Sequence, residues 1–211
     1  MTKTKRKIYL ALLHYPVTNK TGDTVTTAIT NMDLHDIART GRTYGVEKFY
    51  VVNPLDSQIM LAERILNYWS KSTGSRIIPD RKEALDIVRV VDTLEKAIQQ
   101  ITQDNSQRPI IVATDARESG SRVTYNKLKN EMHQSDCPYL LLFGTGYGLL
   151  PKVLEESDYI LDPIRGMDHY NHLSVRSAVA IILDRLVGVR ENISSSNTEI
   201  YQKEENYASS Y

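Results

Sequence analysis

The sequence predicts an α/β domain with a mostly parallel sheet and helices on both faces. Three observations carry that expectation. Short apolar runs alternate along the chain with longer segments of helical period, the pattern of repeated βαβ units. The runs KIYLALL, PIIVAT and YLLLF are apolar without alternation, as in strands covered on both sides. No internal repeat is present, and 211 residues suffice for one domain with a sizeable core.

Taken in order, Lys7 to Leu13 reads as a buried strand and His14 to Thr27 as a long polar loop. Ile29 to Tyr44 has helical spacing and stops at Gly45, a C-terminal cap. Phe49 to Val52 is a short strand closed by Asn53-Pro54. Ser57 to Trp69 is helical, with Ile59, Leu61, Ile65, Leu66 and Trp69 roughly on one face. A strand near Arg76 to Ile78, a helix from Asp80 and a strand from Val88 to Val91 follow. Then come a helix from Thr93 to Ile101, a strand from Pro109 to Thr114 and a polar helix from Tyr125 to His133. Tyr139 to Phe143 is another buried strand, Pro151 to Glu156 a short helix, and Tyr159 to Leu161 the last short strand. Ser174 to Val187 is the last helix, with Ser174 as its N-cap. Beyond it the composition turns polar and Ser-rich, so residues 1–190 are expected to form the domain and 191–211 a mobile tail.

Lys plus Arg equals Asp plus Glu, 26 of each, so a non-specific nucleic-acid coat is not expected, whereas a local basic patch is compatible. The single cysteine, Cys137, excludes an internal disulfide framework and a zinc-type cysteine cluster, and reads as a small hydrophobe at a strand start. No metal is expected. The N-terminal apolar run is too short for a signal sequence and nothing approaches a membrane span, so the cytoplasm is the expected compartment.

The stretch FGTGYGL, after the strand ending at Phe143, carries glycines at positions 144, 146 and 148. It is not a dinucleotide fingerprint, because the spacing is GxGxG and too little chain follows to build the sheet. It reads either as a tight turn alone or as a place where a ligand approaches the backbone. Downstream, LDPIRGMDHYNHLSVRSAVAIILDRL puts a polar cluster before a helix apolar on nearly every side. A polar loop at a buried helix start suits a ligand, and a helix apolar all round is covered, in part by another subunit.

These two blocks resemble the C-terminal motifs of the SPOUT, or trefoil-knot, RNA methyltransferases, and more closely a bacterial TrmD-like group; the resemblance spans residues 7 to 188. It implies a C-terminal deep trefoil knot, S-adenosylmethionine as methyl donor, a tRNA or rRNA substrate and a homodimer. It also implies that the cofactor lies against the backbone of Leu142, Phe143, Gly144, Thr145 and Gly146, of Ile160, Leu161 and Ile164, and of Asn171, Leu173 and Ser174. Glycine serves there because a Cβ would hold the cofactor off the N–H groups. The helix DLHDIART resembles the N-terminal motif of the ribose-methylating branch and places Arg39 on its arginine, with Asp33 and His35 departing from that motif. Tyr170 and His172 stand where ribose methylases carry Ser and Asn, which leaves base nitrogen and ribose hydroxyl both open as acceptors.

The transfer needs alignment and a group to take the acceptor's proton. Candidates are His172, His169, Asp168 and Asp162. His14, Asn19, Lys20 and Thr21 after the first strand are placed to meet RNA, and Lys20, Arg39, Arg42, Arg117, Arg122 and Arg165 are candidates for a basic surface. Thr114, Asp115 and Arg117, at another strand end, are candidates to face the same cleft. A neutral chain with no appended RNA-binding domain is also compatible with a non-catalytic S-adenosylmethionine- or RNA-binding accessory protein.

Overall fold

The computed structural model describes residues 6–71, 78–118, 120–168 and 170–189. The strand expected near Arg76 falls almost wholly, and the expected tail wholly, outside the described residues.

Six parallel strands make the main sheet: β1 (Ile8–Leu13), β4 (Lys48–Val52), β5 (Val88–Val91), β6 (Ile110–Thr114), β7 (Tyr139–Gly144) and β8 (Tyr159–Leu161). Their spatial order is β5-β4-β1-β7-β6-β8. β1 lies at the centre between β4 and β7, and all six of its residues are buried, which explains its unbroken apolar run.

Alternate residues of β1 feed two cores. Ile8, Leu10 and Leu12 pack with α1 (Asn31–Thr43), α5 (Tyr125–Gln134) and α7 (Val175–Val187). That side also receives α2 (Asp56–Lys71) through Ala62 and α3 (Pro79–Leu85) through Leu85. Tyr9, Ala11 and Leu13 point the other way, toward Ala97 and Ile101 of α4 (Leu94–Asn105) and Val153 and Leu154 of α6 (Pro151–Glu155). Helices therefore cover both faces, as the strand patterning predicts.

The helix ends obey local chemistry. Thr30, Thr93, Thr124 and Ser174 each cap a helix by accepting a backbone N–H three residues on. Gly45, at φ +73°, closes α1, with Val46 N donating to Gly41 O at 2.9 Å. Ile29 stays outside α1 although its apolarity suggests inclusion, because Thr30, extended at φ −107° and ψ 141°, is the N-cap; the Ile29 N–H donates to Gln58 Oε1 at 2.8 Å. The loop expected from 14 to 27 contains a small antiparallel ribbon, β2 (Val17–Thr18) with β3 (Thr24–Val25). Two-residue strands carry no periodicity, so the sequence offers no sign of it.

α7 buries Val179, Ile182, Leu183 and Leu186 against the core, while Val175, Ala178 and Ile181 are half-buried. No described helix is long and apolar enough to cross a membrane. Cys137 precedes β7 and is only partly buried; its Sγ accepts from Gln107 Nε2 at 2.8 Å.

Candidate active site

A cleft of about 830 Å³ opens at the carboxyl ends of β6, β7 and β8, where ligands bind in open α/β sheets. One wall is the glycine turn from Gly144 to Gly148, another the segment from Thr114 to Arg117, and a third the loop 162–174 with the start of α7.

The glycine turn is sewn to the ribbon. Thr145 N donates to Leu13 O at 3.2 Å, Tyr147 N to Thr18 O at 3.1 Å, and Thr18 N to Gly148 O at 3.0 Å. Behind it runs a polar chain: His14 Nδ1 lies 2.9 Å from the Thr27 hydroxyl, which contacts the Thr145 hydroxyl, which also meets Leu13 O at 3.1 Å. Asn53 Nδ2 donates to Thr27 O at 3.1 Å and secures the same segment.

The glycines have different tasks. Gly146 and Gly148 take φ of +60° and +98°, where other residues are strained. Gly144 is needed for packing, since a Cβ there would lie 2.7 Å from Leu149 N. Its missing Cβ is thus required by the turn's own backbone, a demand separate from the expected approach of a ligand.

Most of the expected cofactor residues meet at the cleft. Phe143, Gly144, Thr145, Gly146, Ile164, Asn171, Leu173 and Ser174 line it, and so does His172. Leu142, Ile160 and Leu161 do not: Leu142 is fully buried, and Ile160 and Leu161 belong to β8, behind Asp162, the first residue of that strand end to reach the cleft. Thr114, Asp115 and Arg117 line it as expected. Asp115 pairs with Arg117 at 3.0 Å and Arg122 at 3.5 Å, and Arg122 also donates to Leu161 O at 3.0 Å. Arg122 is therefore an internal tie between two cleft walls, with its side chain 8% exposed, and not part of a basic surface.

Other expectations are displaced. Asp168 lies outside the cleft lining, exposed, and accepts from Tyr170 N at 3.0 Å. His169 falls outside the described residues. Arg39 is exposed on α1, about 9 Å along the helix axis from Asp33, the one residue of α1 in the cleft. Arg42 lies further along still and pairs with Glu83 on α3. Arg165 pairs with Glu118 at 2.9 Å, and Lys20 is exposed at the ribbon tip. His14 is corrected most sharply. It is 1% exposed, so its ring cannot reach a macromolecule at the surface. Burial lowers its pKa to about 4, against the opposing pull of the Asp33 carboxylate.

Sequence reasoning did not assign Asp33, Arg176 or Tyr147 to the cleft. Asp33 is 7% exposed; its carboxylate accepts from the Thr30 hydroxyl at 2.6 Å and faces Arg176 Nη1 at 3.4 Å. Arg176 also reaches Asp36 at 3.5 Å and so pins α7 to α1. Nothing in local sequence pairs residues 143 positions apart.

The donor set suits a sulfonium nucleoside. Apolar side chains (Phe143, Ile164, Leu173) adjoin the carboxylate of Asp162, which complements positive charge, while Asp33 and Asp115 are held in ion pairs with Arg176, Arg117 and Arg122 that fix the cleft walls.

A sequence profile described as SAM-dependent RNA methyltransferase matches residues 7–188. An uncharacterized protein of Aquifex aeolicus (strain VF5) is 46% identical over 179 residues, which is 85% of this chain and 87% of that protein. A tRNA (guanine-N(1)-)-methyltransferase of Nitratidesulfovibrio vulgaris is 46% identical over 183 residues, 87% of this chain but only 42% of that protein. Among solved structures, a putative methylase family protein from Neisseria gonorrhoeae superposes with a TM-score of 0.59 at 14% identity, covering 95% of this chain and 93% of that one. The SpoU methyltransferase AviRb from Streptomyces viridochromogenes gives 0.53 at 15% identity, covering 87% and 59%. At such identities the structural likeness is one of fold, and it is the SPOUT-like α/β fold. The sequence match over nearly the whole domain goes further: this chain belongs to the SAM-dependent RNA methyltransferases, with S-adenosylmethionine as its methyl donor.

Proposed function

We propose that the cleft at the ends of β6, β7 and β8 is where S-adenosylmethionine and an acceptor nucleotide meet, and that the chain methylates tRNA or rRNA as a homodimer. The observation that carries this reading is the convergence of the glycine turn, the loop 162–174 and the carboxylates of Asp33, Asp115 and Asp162 on one space of ligand size.

In this reading the backbone of Phe143 to Gly146, with Ile164, Asn171, Leu173 and Ser174, holds the cofactor. Asn171 Nδ2 donates to Ala116 O at 3.0 Å and keeps the loop closed on the β6 wall. A C-terminal trefoil knot belongs to the same reading, between β8, at the sheet edge, and α7, which packs on α1. When bound, S-adenosylmethionine supplies an activated methyl group, so the chain's own work is alignment and proton removal. His172, exposed at the cleft, is the proposed base, for a base nitrogen or a ribose hydroxyl. Asp168 acts as a positioning residue through its bond to Tyr170 N, because the Tyr170 ring stands edge-on to His172 at 5.5 Å. Arg39, outside its own cleft, serves the partner's site in the dimer. The domain ends near residue 190.

The relative named as a guanine-N(1) methyltransferase makes tRNA the first substrate to test, although the chain spans less than half of that protein. The test is calorimetric binding of S-adenosylmethionine followed by transfer of its labelled methyl to bulk tRNA and to rRNA, with light scattering for mass. Binding, label in RNA and a dimer mass support the reading. Absence of cofactor binding overturns it.

A further inference from the structure

One exposed ring at the cleft is engaged neither with His172 nor in the hydrogen bonds of the turn. Tyr147 sits between Gly146 and Gly148, whose positive φ angles bend the chain on both sides of it. Its N–H is fixed to Thr18 O at 3.1 Å, so the backbone beneath the ring is held. Yet the residue is 62% exposed while lining the cleft. The deeper apolar surface of the cleft belongs instead to Phe143, which is 2% exposed.

We propose that the Tyr147 ring is the platform on which the nucleobase of the acceptor nucleotide stacks when it leaves the RNA and enters the cleft. The proposal rests on the reading of the cleft given above and adds how the substrate is seized. An enzyme that modifies a nucleotide inside structured RNA must take it out of its stack, and aromatic faces repay that loss for any base. A ring at the mouth is placed to do so, whereas a ring for the cofactor's adenine belongs deeper, near Phe143.

The segments bonded to the turn carry cations that suit RNA as the ring's occupant. Arg117, half-exposed and paired with Asp115 at 3.0 Å, donates to Leu149 O at 3.3 Å, two residues along the chain from Tyr147. The turn is also bonded to Thr18, and two residues further along the chain Lys20 is exposed. An exposed aromatic on a turn tied to such cations suits a backbone with a base turned inward.

The test uses the full chain with S-adenosylmethionine and a short single-stranded oligoribonucleotide carrying 2-aminopurine, whose fluorescence is quenched by stacking. Wild type is expected to bind and quench. Tyr147→Ala is expected to lose the quench and weaken oligonucleotide binding by about 5- to 150-fold, the range of one base–aromatic stack. Tyr147→Phe and Tyr147→Trp should retain both, and all three should bind S-adenosylmethionine within about twofold of wild type.

The proposal falls alone if wild type binds S-adenosylmethionine but never quenches, or if the alanine variant quenches and binds like wild type. Equal loss of cofactor affinity in Tyr147→Ala would assign the ring to the cofactor and overturn it. A fall in mass from dimer to monomer would assign the ring to a second copy and also overturn it. Failure of wild type to bind S-adenosylmethionine at all would remove the underlying reading, and the proposal with it.

Discussion

Replacing Gly144 by alanine sends the new Cβ into the backbone of its own turn. It would lie 2.7 Å from Leu149 N, 2.8 Å from Gly148 C and 3.1 Å from Gly148 Cα. All three are main-chain atoms, so no rotamer change relieves the contact. To reach an ordinary separation of 3.4 Å the turn must open by about 0.7 Å. The bonds that resist are Gly148 N to Thr145 O, Tyr147 N to Thr18 O and Thr18 N to Gly148 O, each between 3.0 and 3.1 Å. Overpacking of this kind costs about 1–3 kcal/mol. The same displacement moves the cleft wall, so S-adenosylmethionine affinity should fall about tenfold or more. The assay is urea unfolding beside calorimetric titration, with Gly166→Ala as control. At Gly166 a Cβ would meet only Tyr170 O at 3.9 Å, so both readings should be unchanged. An alanine at position 144 that left midpoint and affinity as in wild type would refute the account of the turn.

Three further outcomes are expected. His14 has its pKa lowered by burial from 6.5 to about 4, so the unfolded chain binds its proton first as pH falls. Stability should be fully present above pH 6.5 and decline by about 3 kcal/mol on the way to pH 4; urea midpoints across that window should flatten in His14→Gln, and an equally steep decline in the variant would assign the acid sensitivity elsewhere. Arg122→Met leaves the Asp115 carboxylate, 5% exposed, with Arg117 alone, and should cost about 3 kcal/mol in thermal or urea unfolding; a cost below about 1 kcal/mol would show that the pair carries little. Arg39→Ala, at an exposed position, should change stability by less than about 0.5 kcal/mol and lower methyl transfer to RNA without changing cofactor binding; full activity would remove Arg39 from the site.

Much of the cleft was legible in two stretches of chain. FGTGYGL and the segment from Asp162 to Ser174 are each local, and each delivers its residues to one strand end, so reading along the chain finds them. The polar chain from His14 through Thr27 to Thr145 was not legible, because its members lie 13 and 118 positions apart. His14 in particular looks like a loop residue free to meet a ligand. Only packing reveals that it is interior and that its ring holds the turn from behind.

The sequence by itself determined the layering and the place of the turn. Apolar runs without alternation demand a sheet covered on both faces, and caps such as Thr30, Thr93 and Ser174 set helix starts through bonds three residues long. Tertiary structure alone decided which distant groups share the cleft. Asp33 reaches it and Arg39 does not, because α1 meets the site with its first turn only. Arg176 faces Asp33 because α7 crosses back onto α1. Such pairings follow from how helices dock on the sheet, and docking is set by the summed burial of both cores, which no single stretch of sequence contains.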